Sequence, residues 1–169
     1  SGLVAPGTGV LLNDEMDDFT SKVGVANMYG LVQGEANAIA PYKTPLSSMS
    51  PTIMTQDGKV NLVIGTPGGS RIFTSIFQVI NNLYDYNLPL QQAVDAQRFH
   101  HQLLPKDVIY YDDFAPITGE VAAQLTAMGY KVEDQGWRLG DIQAIQVKDG
   151  KVAAASDRRG RGHNAVIQP

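Results

Sequence analysis

Two Asp-Gly pairs, Asp57-Gly58 and Asp149-Gly150, each separate short runs of strand-forming residues, and they restrict the fold more than anything else in the chain. A two-residue hairpin loop needs positive φ at both central positions, which Asp followed by Gly supplies. Residues 52–56 with 59–64, and 142–147 with 151–155, are therefore expected to form antiparallel hairpins. Sequential strands that look antiparallel argue against a doubly wound parallel sheet, which needs crossover connections. Between the hairpins, Ile72, Phe73, Ile76, Phe77, Val79, Ile80 and Leu83 recur at three- and four-residue spacings. This predicts a helix over 71–83 with that broad face in the core. A second helix is expected at 87–96 with Leu90, Ala93 and Val94 inward, a strand at 108–111, and a third helix at 116–128 stopped by Gly129. The fold class is α+β, an antiparallel sheet with covering helices.

The chain has 169 residues, 43% of them hydrophobic and 18% charged, enough to bury one sizeable core, and neither repeat nor linker divides it. A single domain over 1–169 is expected. The first forty-four residues are irregular, with apolar residues scattered among recurrent glycines, as in a segment draped over a scaffold or a partner. A net charge of −4 gives no footprint for nucleic acid. No run approaches the roughly 18 consecutive apolar residues of a membrane span, and no signal segment opens the chain. The absence of cysteine excludes disulfides, thiolate metal sites and a cysteine nucleophile, while leaving the compartment open.

Three patches carry chemistry. In "GTPGGSRI", Gly68 and Gly69 end an apolar run just before a helix. A phosphate loop would need Lys followed by Ser or Thr after its last glycine, and a dinucleotide fingerprint would need a third glycine, so no cofactor is expected. The pair is either a plain strand-to-helix turn or an oxyanion hole, in which backbone N–H groups stabilise charge developing on a carbonyl oxygen. In "PLSSMSP", Ser47 and Ser48 either cap a local turn or donate hydrogen bonds to a carboxylate. In "NDEMDDF", four carboxylates within five positions either form a solvated acidic turn or meet a cation. Calcium is disfavoured because the spacing of an EF-hand is absent, and an ammonium group fits better. No metal is expected. Together the patches describe a site for a zwitterion, an amino acid linked through its side chain.

Taken in order, "GVLLNDEMDDF", "PLSSMSPTI", "GTPGGSRI", "AVDAQRFHHQLLP" and "AASDRR" resemble the small, C-terminal subunit of gamma-glutamyltranspeptidase, from Ser1 to about Arg159. The resemblance implies an N-terminal-nucleophile hydrolase, a four-layer αββα sandwich shared by two subunits cut from one autoproteolytic precursor, of which this chain is a C-terminal portion. It implies cleavage of glutathione or other gamma-glutamyl compounds through a gamma-glutamyl-threonine intermediate, with water, an amino acid or a peptide as acceptor. By the same resemblance Glu15 and Asp18 bind the glutamyl amino group, Ser47 and Ser48 bind its carboxylate, and Gly68 and Gly69 form the oxyanion hole. A large subunit is the implied partner, and a bacterial periplasm or exterior the implied location.

In the family the nucleophile is an N-terminal threonine, and its segment precedes the match to Ser1. Ser1 is a poor substitute, because it aligns with an interior position and Pro6 and Gly7 interrupt what would be the nucleophile's strand. The chain alone is therefore expected to be inactive. His100 and His101 are expected to be structural or interface residues rather than acid–base groups, Asp157 and Arg158 to be an ion pair or loop anchor, and Trp137 to lie in the core. Two other functions stand beside the leading one. A glutaryl-cephalosporin acylase of the same family would leave Glu15 and Asp18 without an ammonium partner, and a noncatalytic module would hold glutamate or a partner chain.

Overall fold

The computed structural model of the protein describes residues 2–167, so Ser1 lies outside the described residues. Two compact units divide the chain, Ser1–Ser47 and Ser48–Pro169.

The first unit is a series of turns, as its irregular sequence implies. Two 3-10 turns, Glu15–Asp18 and Glu35–Asn37, and the isolated bridges Val4↔Leu11, Thr20↔Ala38 and Ala26↔Val32 are its regular elements. Among its described residues only Phe19 and Thr20 are buried, so side-chain hydrogen bonds to backbone replace a core. Asn37 is the hub: its Nδ2 donates to the Asp18 carbonyl at 2.7 Å and to Gln33 Oε1 at 2.8 Å, while its Oδ1 accepts from the Leu46 amide at 2.8 Å. Asn27 Oδ1 likewise accepts from the Tyr29 and Leu31 amides, both at 3.0 Å. Asn suits both positions because its carboxamide mimics a peptide group.

The second unit holds the two expected hairpins. Strands β1 (Thr52–Gln56) and β2 (Lys59–Gly65) turn at Asp57 (φ 51°) and Gly58 (φ 74°). The chain then forms α1 (Ile72–Tyr84), α2 (Leu90–Asp95), β3 (Phe99–His100), β4 (Val108–Tyr111), α3 (Gly119–Ala127) and β5 (Lys131–Asp134). It ends with the hairpin β6 (Gln143–Lys148) and β7 (Lys151–Ser156), which turns at Asp149 (φ 51°) and Gly150 (φ 72°). The larger sheet is antiparallel throughout, in the order β1-β2-β6-β7. Alternation along β2 sends Leu62 and Ile64 into one core with Ile72, Ile76, Val79 and Leu83 of α1, Leu90, Ala93 and Val94 of α2, and Ile142, Ala144 and Ala155. The α+β expectation of an antiparallel sheet with covering helices holds.

Three sequence expectations fail. The face expected of α1 was too broad: Phe73 and Phe77 are 57% and 61% exposed, because they sit one position beyond the Ile72, Ile76, Val79, Leu83 stripe, about 100° round the helix. The strands are not all antiparallel. In the smaller sheet, β3-β4-β5, β4 and β5 run parallel, since the chain between them contains α3 and can return to the same end. Trp137 is 53% exposed rather than core, with the Arg71 guanidinium 5.9 Å from its ring centroid.

The second unit also contains a buried cluster of two arginines and two aspartates. Arg98 pairs with Asp157, and Arg159 pairs with Asp112 at 2.6 Å and with Asp157 at 3.5 Å; all four side chains are fully buried. Further bonds run to the backbone, while the buried Arg98 Nε has no hydrogen-bond partner among the described residues. Asp157 accepts from the Ile142 amide at 3.0 Å, Asp112 from the Leu139 amide at 3.0 Å, Arg98 donates to the Val94 carbonyl at 3.0 Å, and Arg159 to that of Ala96 at 3.0 Å. Burial lowers the Arg98 guanidinium below its ordinary pKa, an effect that the Asp157 carboxylate opposes. The expected role of Asp157 as a loop anchor is met through Arg98 and Arg159. Arg158 reaches Asp95 instead, at 3.3 Å and largely in solvent. Removing one partner of a buried pair leaves a bare charge, so Asp157→Ala should lower stability by about 3–5 kcal/mol. Arg158→Ala should change it by less than about 1 kcal/mol. Urea unfolding of the two variants beside the parent checks the contrast.

Candidate functional site

The second unit presents the Gly-Gly turn. Strand β2 ends at Gly65, and Thr66 Oγ1 next accepts a hydrogen bond from the Asp141 amide at 2.7 Å. Pro67 leads into Gly68 (φ 142°, ψ 13°) and Gly69 (φ 57°), and a 3-10 turn, Gly69–Arg71, passes directly into α1. Both glycines have backbone angles that an L side chain seldom adopts, which is why this turn carries two of them. The Arg71 amide donates to the Gly68 carbonyl at 3.1 Å. The Gly68 and Gly69 amides themselves donate no hydrogen bond among the described residues. Two unspent N–H groups at the start of a 13-residue helix form a concentrated positive pole, suited to negative charge on a small oxygen.

A partly buried polar chain supports this turn, and sequence reasoning missed it. The Ser70 hydroxyl donates to Gln102 Oε1 at 3.1 Å, and the same oxygen lies 2.9 Å from His100 Nε2. His100 Nδ1 lies 3.0 Å from the hydroxyl of Thr74 on α1. Burial foremost, with the charge of Arg71 and the nearby His101, lowers the His100 pKa below its ordinary value, against the hydrogen bond to Gln102. The lowered pKa favours neutral His100; with Nε2 donating to Gln102 Oε1, Nδ1 faces the Thr74 hydroxyl, whose single proton the Arg71 carbonyl at 3.1 Å also accepts. His101 stacks edge-on with Tyr130, ring centroids 5.9 Å apart. Both histidines are packed into the fold, in agreement with the structural role expected for them. The spacing Ser70, Thr74 offered one signal, since residues four apart share a helix face. Nothing local tied that face to Gln102.

Ser48, in the same unit, is half-buried on the run into β1, and its carbonyl accepts from the Ser50 hydroxyl at 3.2 Å. In the first unit, Glu15 and Asp18 belong to one 3-10 turn and border a cavity of about 280 Å³ with Asp14, Asp17, Ser21, Asn27, Met28 and Tyr29. The four carboxylates predicted to cluster do so around this cavity. The Glu15 amide donates to Asn13 Oδ1 at 3.1 Å, which fixes the start of the turn. Ser47 is exposed at the end of that unit. Among the described residues no group of His, Asp and Glu has the arrangement of a metal site.

A depressed histidine pKa makes the unfolded chain the better proton acceptor. The contribution of neutral His100 to stability is full above the unfolded value of about 6.5 and is lost as pH falls toward the lower folded value. Denaturant unfolding at pH 7.5 and pH 5.5 should show a larger loss on acidification for the parent than for His100→Gln.

The gamma-glutamyltranspeptidase family model matches residues 1–167. The chain is 66% identical to the glutathione hydrolase proenzyme of Pseudomonas aeruginosa over all of its own length, and 49% identical over 94% of its length to that of Escherichia coli. It spans about 30% and 27% of those two proteins. The solved gamma-glutamyltranspeptidase of Pseudomonas nitroreducens complexed with L-DON superposes with a TM-score of 0.92 at 66% identity, over 99% of this chain and 87% of that one. By the family match, by identity over its full length and by the helix-covered antiparallel sheet of an N-terminal-nucleophile hydrolase, the chain belongs to the gamma-glutamyltranspeptidase family.

Proposed function

We propose that this chain is the C-terminal part of the small subunit of a gamma-glutamyl hydrolase and transferase. The donor is glutathione or another gamma-glutamyl amide, the intermediate a gamma-glutamyl ester on a threonine of the complete enzyme, and the acceptor water, an amino acid or a peptide. The observation that carries this reading is the Gly68–Gly69 turn, whose two amide N–H groups are unspent at the head of α1. When an amide carbonyl is attacked, charge collects on its oxygen, and donors already aimed at that position need no reorganisation. Gly68 and Gly69 are assigned this oxyanion role, Glu15 and Asp18 the amino group, and Ser47 and Ser48 the carboxylate of the glutamyl head group. The acidic cavity favours a gamma-glutamyl donor over a glutaryl one, because four carboxylates have no use for a head group without an ammonium.

The larger sheet supports a large-subunit partner cut from the same precursor. Cross-strand neighbours Ile53, Val63, Ile145 and Ala154 make one row on the face turned away from α1 and α2, and Ile53 and Ile145 are 66% and 47% exposed. An apolar row of this kind suits face-to-face stacking on a second sheet.

The test uses the enzyme assembled from both subunits. Replacing both carboxylates, by Glu15→Gln with Asp18→Asn, should raise KM for a gamma-glutamyl anilide by at least about tenfold, and change that for a glutaryl anilide little. Gly68→Ala, strained at φ 142°, should lower kcat by about 10²-fold with a smaller change in KM. Glutamate binding without turnover by the assembled enzyme would replace this reading with that of a binding module.

A further inference from the structure

The Gly68–Gly69 peptides are the least constrained units of the turn by their own chemistry, since neither carries a side chain that could pack or hydrogen-bond. An oxyanion site works only when its donors are held to within about 0.5 Å of their productive place. Something outside the pair must therefore hold it. On the upstream side Thr66 Oγ1 is fixed by the Asp141 amide at 2.7 Å. On the downstream side the first side chain after the pair is Ser70, which is buried and committed through its hydroxyl to Gln102 Oε1 at 3.1 Å. That oxygen is held in turn by His100 Nε2 at 2.9 Å, and the ring is held by Thr74 at 3.0 Å, one turn into α1. The chain of contacts leaves the glycine turn through Ser70 and returns to the helix that this turn begins, closing a ring of hydrogen bonds.

We propose that Gln102 is a positioning residue for the Gly68–Gly69 turn: its side-chain oxygen, oriented by His100, takes the Ser70 hydroxyl and so sets the peptide planes whose N–H groups meet the developing charge. This rests on the oxyanion role assigned above. Gln102 touches no reacting atom and acts through Ser70. The glutamyl head group has other ligands, so loosening the ring leaves substrate affinity intact and weakens only the interaction made as charge develops.

The experiment measures kcat and KM for a gamma-glutamyl anilide in the assembled two-subunit enzyme. Ser70→Ala and Gln102→Met, the latter similar in shape but lacking the acceptor, should each lower kcat about tenfold with KM within about twofold. The double variant should be no worse than either single one, since both break the same link. Gln102→Glu keeps an acceptor oxygen and should stay within about threefold of the parent kcat. Unchanged kcat in Gln102→Met, a loss confined to KM, or Gln102→Glu as impaired as Gln102→Met would each overturn the proposal. If Ser70→Ala fails to assemble, the two Gln102 variants decide it alone. If the parent enzyme turns over no gamma-glutamyl amide, the proposed function fails, and the positioning inference is then judged by amide hydrogen exchange. Faster exchange at Gly68 and Gly69 in Gln102→Met supports it, and unchanged exchange overturns it.

Discussion

Four buried charges, Arg98, Asp112, Asp157 and Arg159, hold the second unit to one arrangement. Their mutual attraction does not by itself make the fold more stable than a well-packed apolar core would, because removing two ion pairs from water costs about as much as their attraction returns. Their effect is one of registry. Each charge is also bonded to a backbone group: the two arginines to Val94 and Ala96 at the end of α2, and the two aspartates to Leu139 and Ile142 on the approach to β6, while Asp112 itself follows β4 in the chain. A sheet that slipped by one residue would strand a bare charge in the interior, so competing packings are penalised by several kcal/mol. The Gly-Gly turn sits between β2 and α1, two elements whose places depend on that registry.

Much of the architecture was legible because its determinants are local. The two Asp-Gly turns impose positive φ at fixed positions, and the Ile72, Ile76, Val79, Leu83 stripe repeats with the period of a helix. What escaped was set by contacts distant in sequence. Strand β3 has only two residues, Phe99 and His100, too few for any alternation to show. Strand β5 carries a single apolar residue, Val132, and pairs with β4 only because α3 brings it back parallel. Asp157 is next to Arg158 in sequence, yet its partners are Arg98 and Arg159.

The candidate site divides in the same way. Gly68, Gly69 and the acidic run stood out because their residue types are unusual at those spacings, and a family resemblance attached roles to them. The structure adds geometry: unspent amides at the turn and a cavity bordered by the carboxylates. Gln102 and His100 could not have been linked to Ser70 from sequence, since 32 residues separate the two ends of that hydrogen bond.

The exposed row Ile53, Val63, Ile145, Ala154 bears on how such a molecule is made. Strands β1 and β7 are the outer strands of that sheet, with Asn164 bonded to the backbone of Ala154 and Ser156 on β7, and an apolar face beside an outer strand invites pairing with the wrong neighbour. Under the function proposed above, a covering layer carried on the same precursor would meet this face at an effective concentration in the millimolar range, before other molecules can compete. Under that proposal, cutting the precursor only after the sandwich has closed would let the peptide bond act as an internal chaperone.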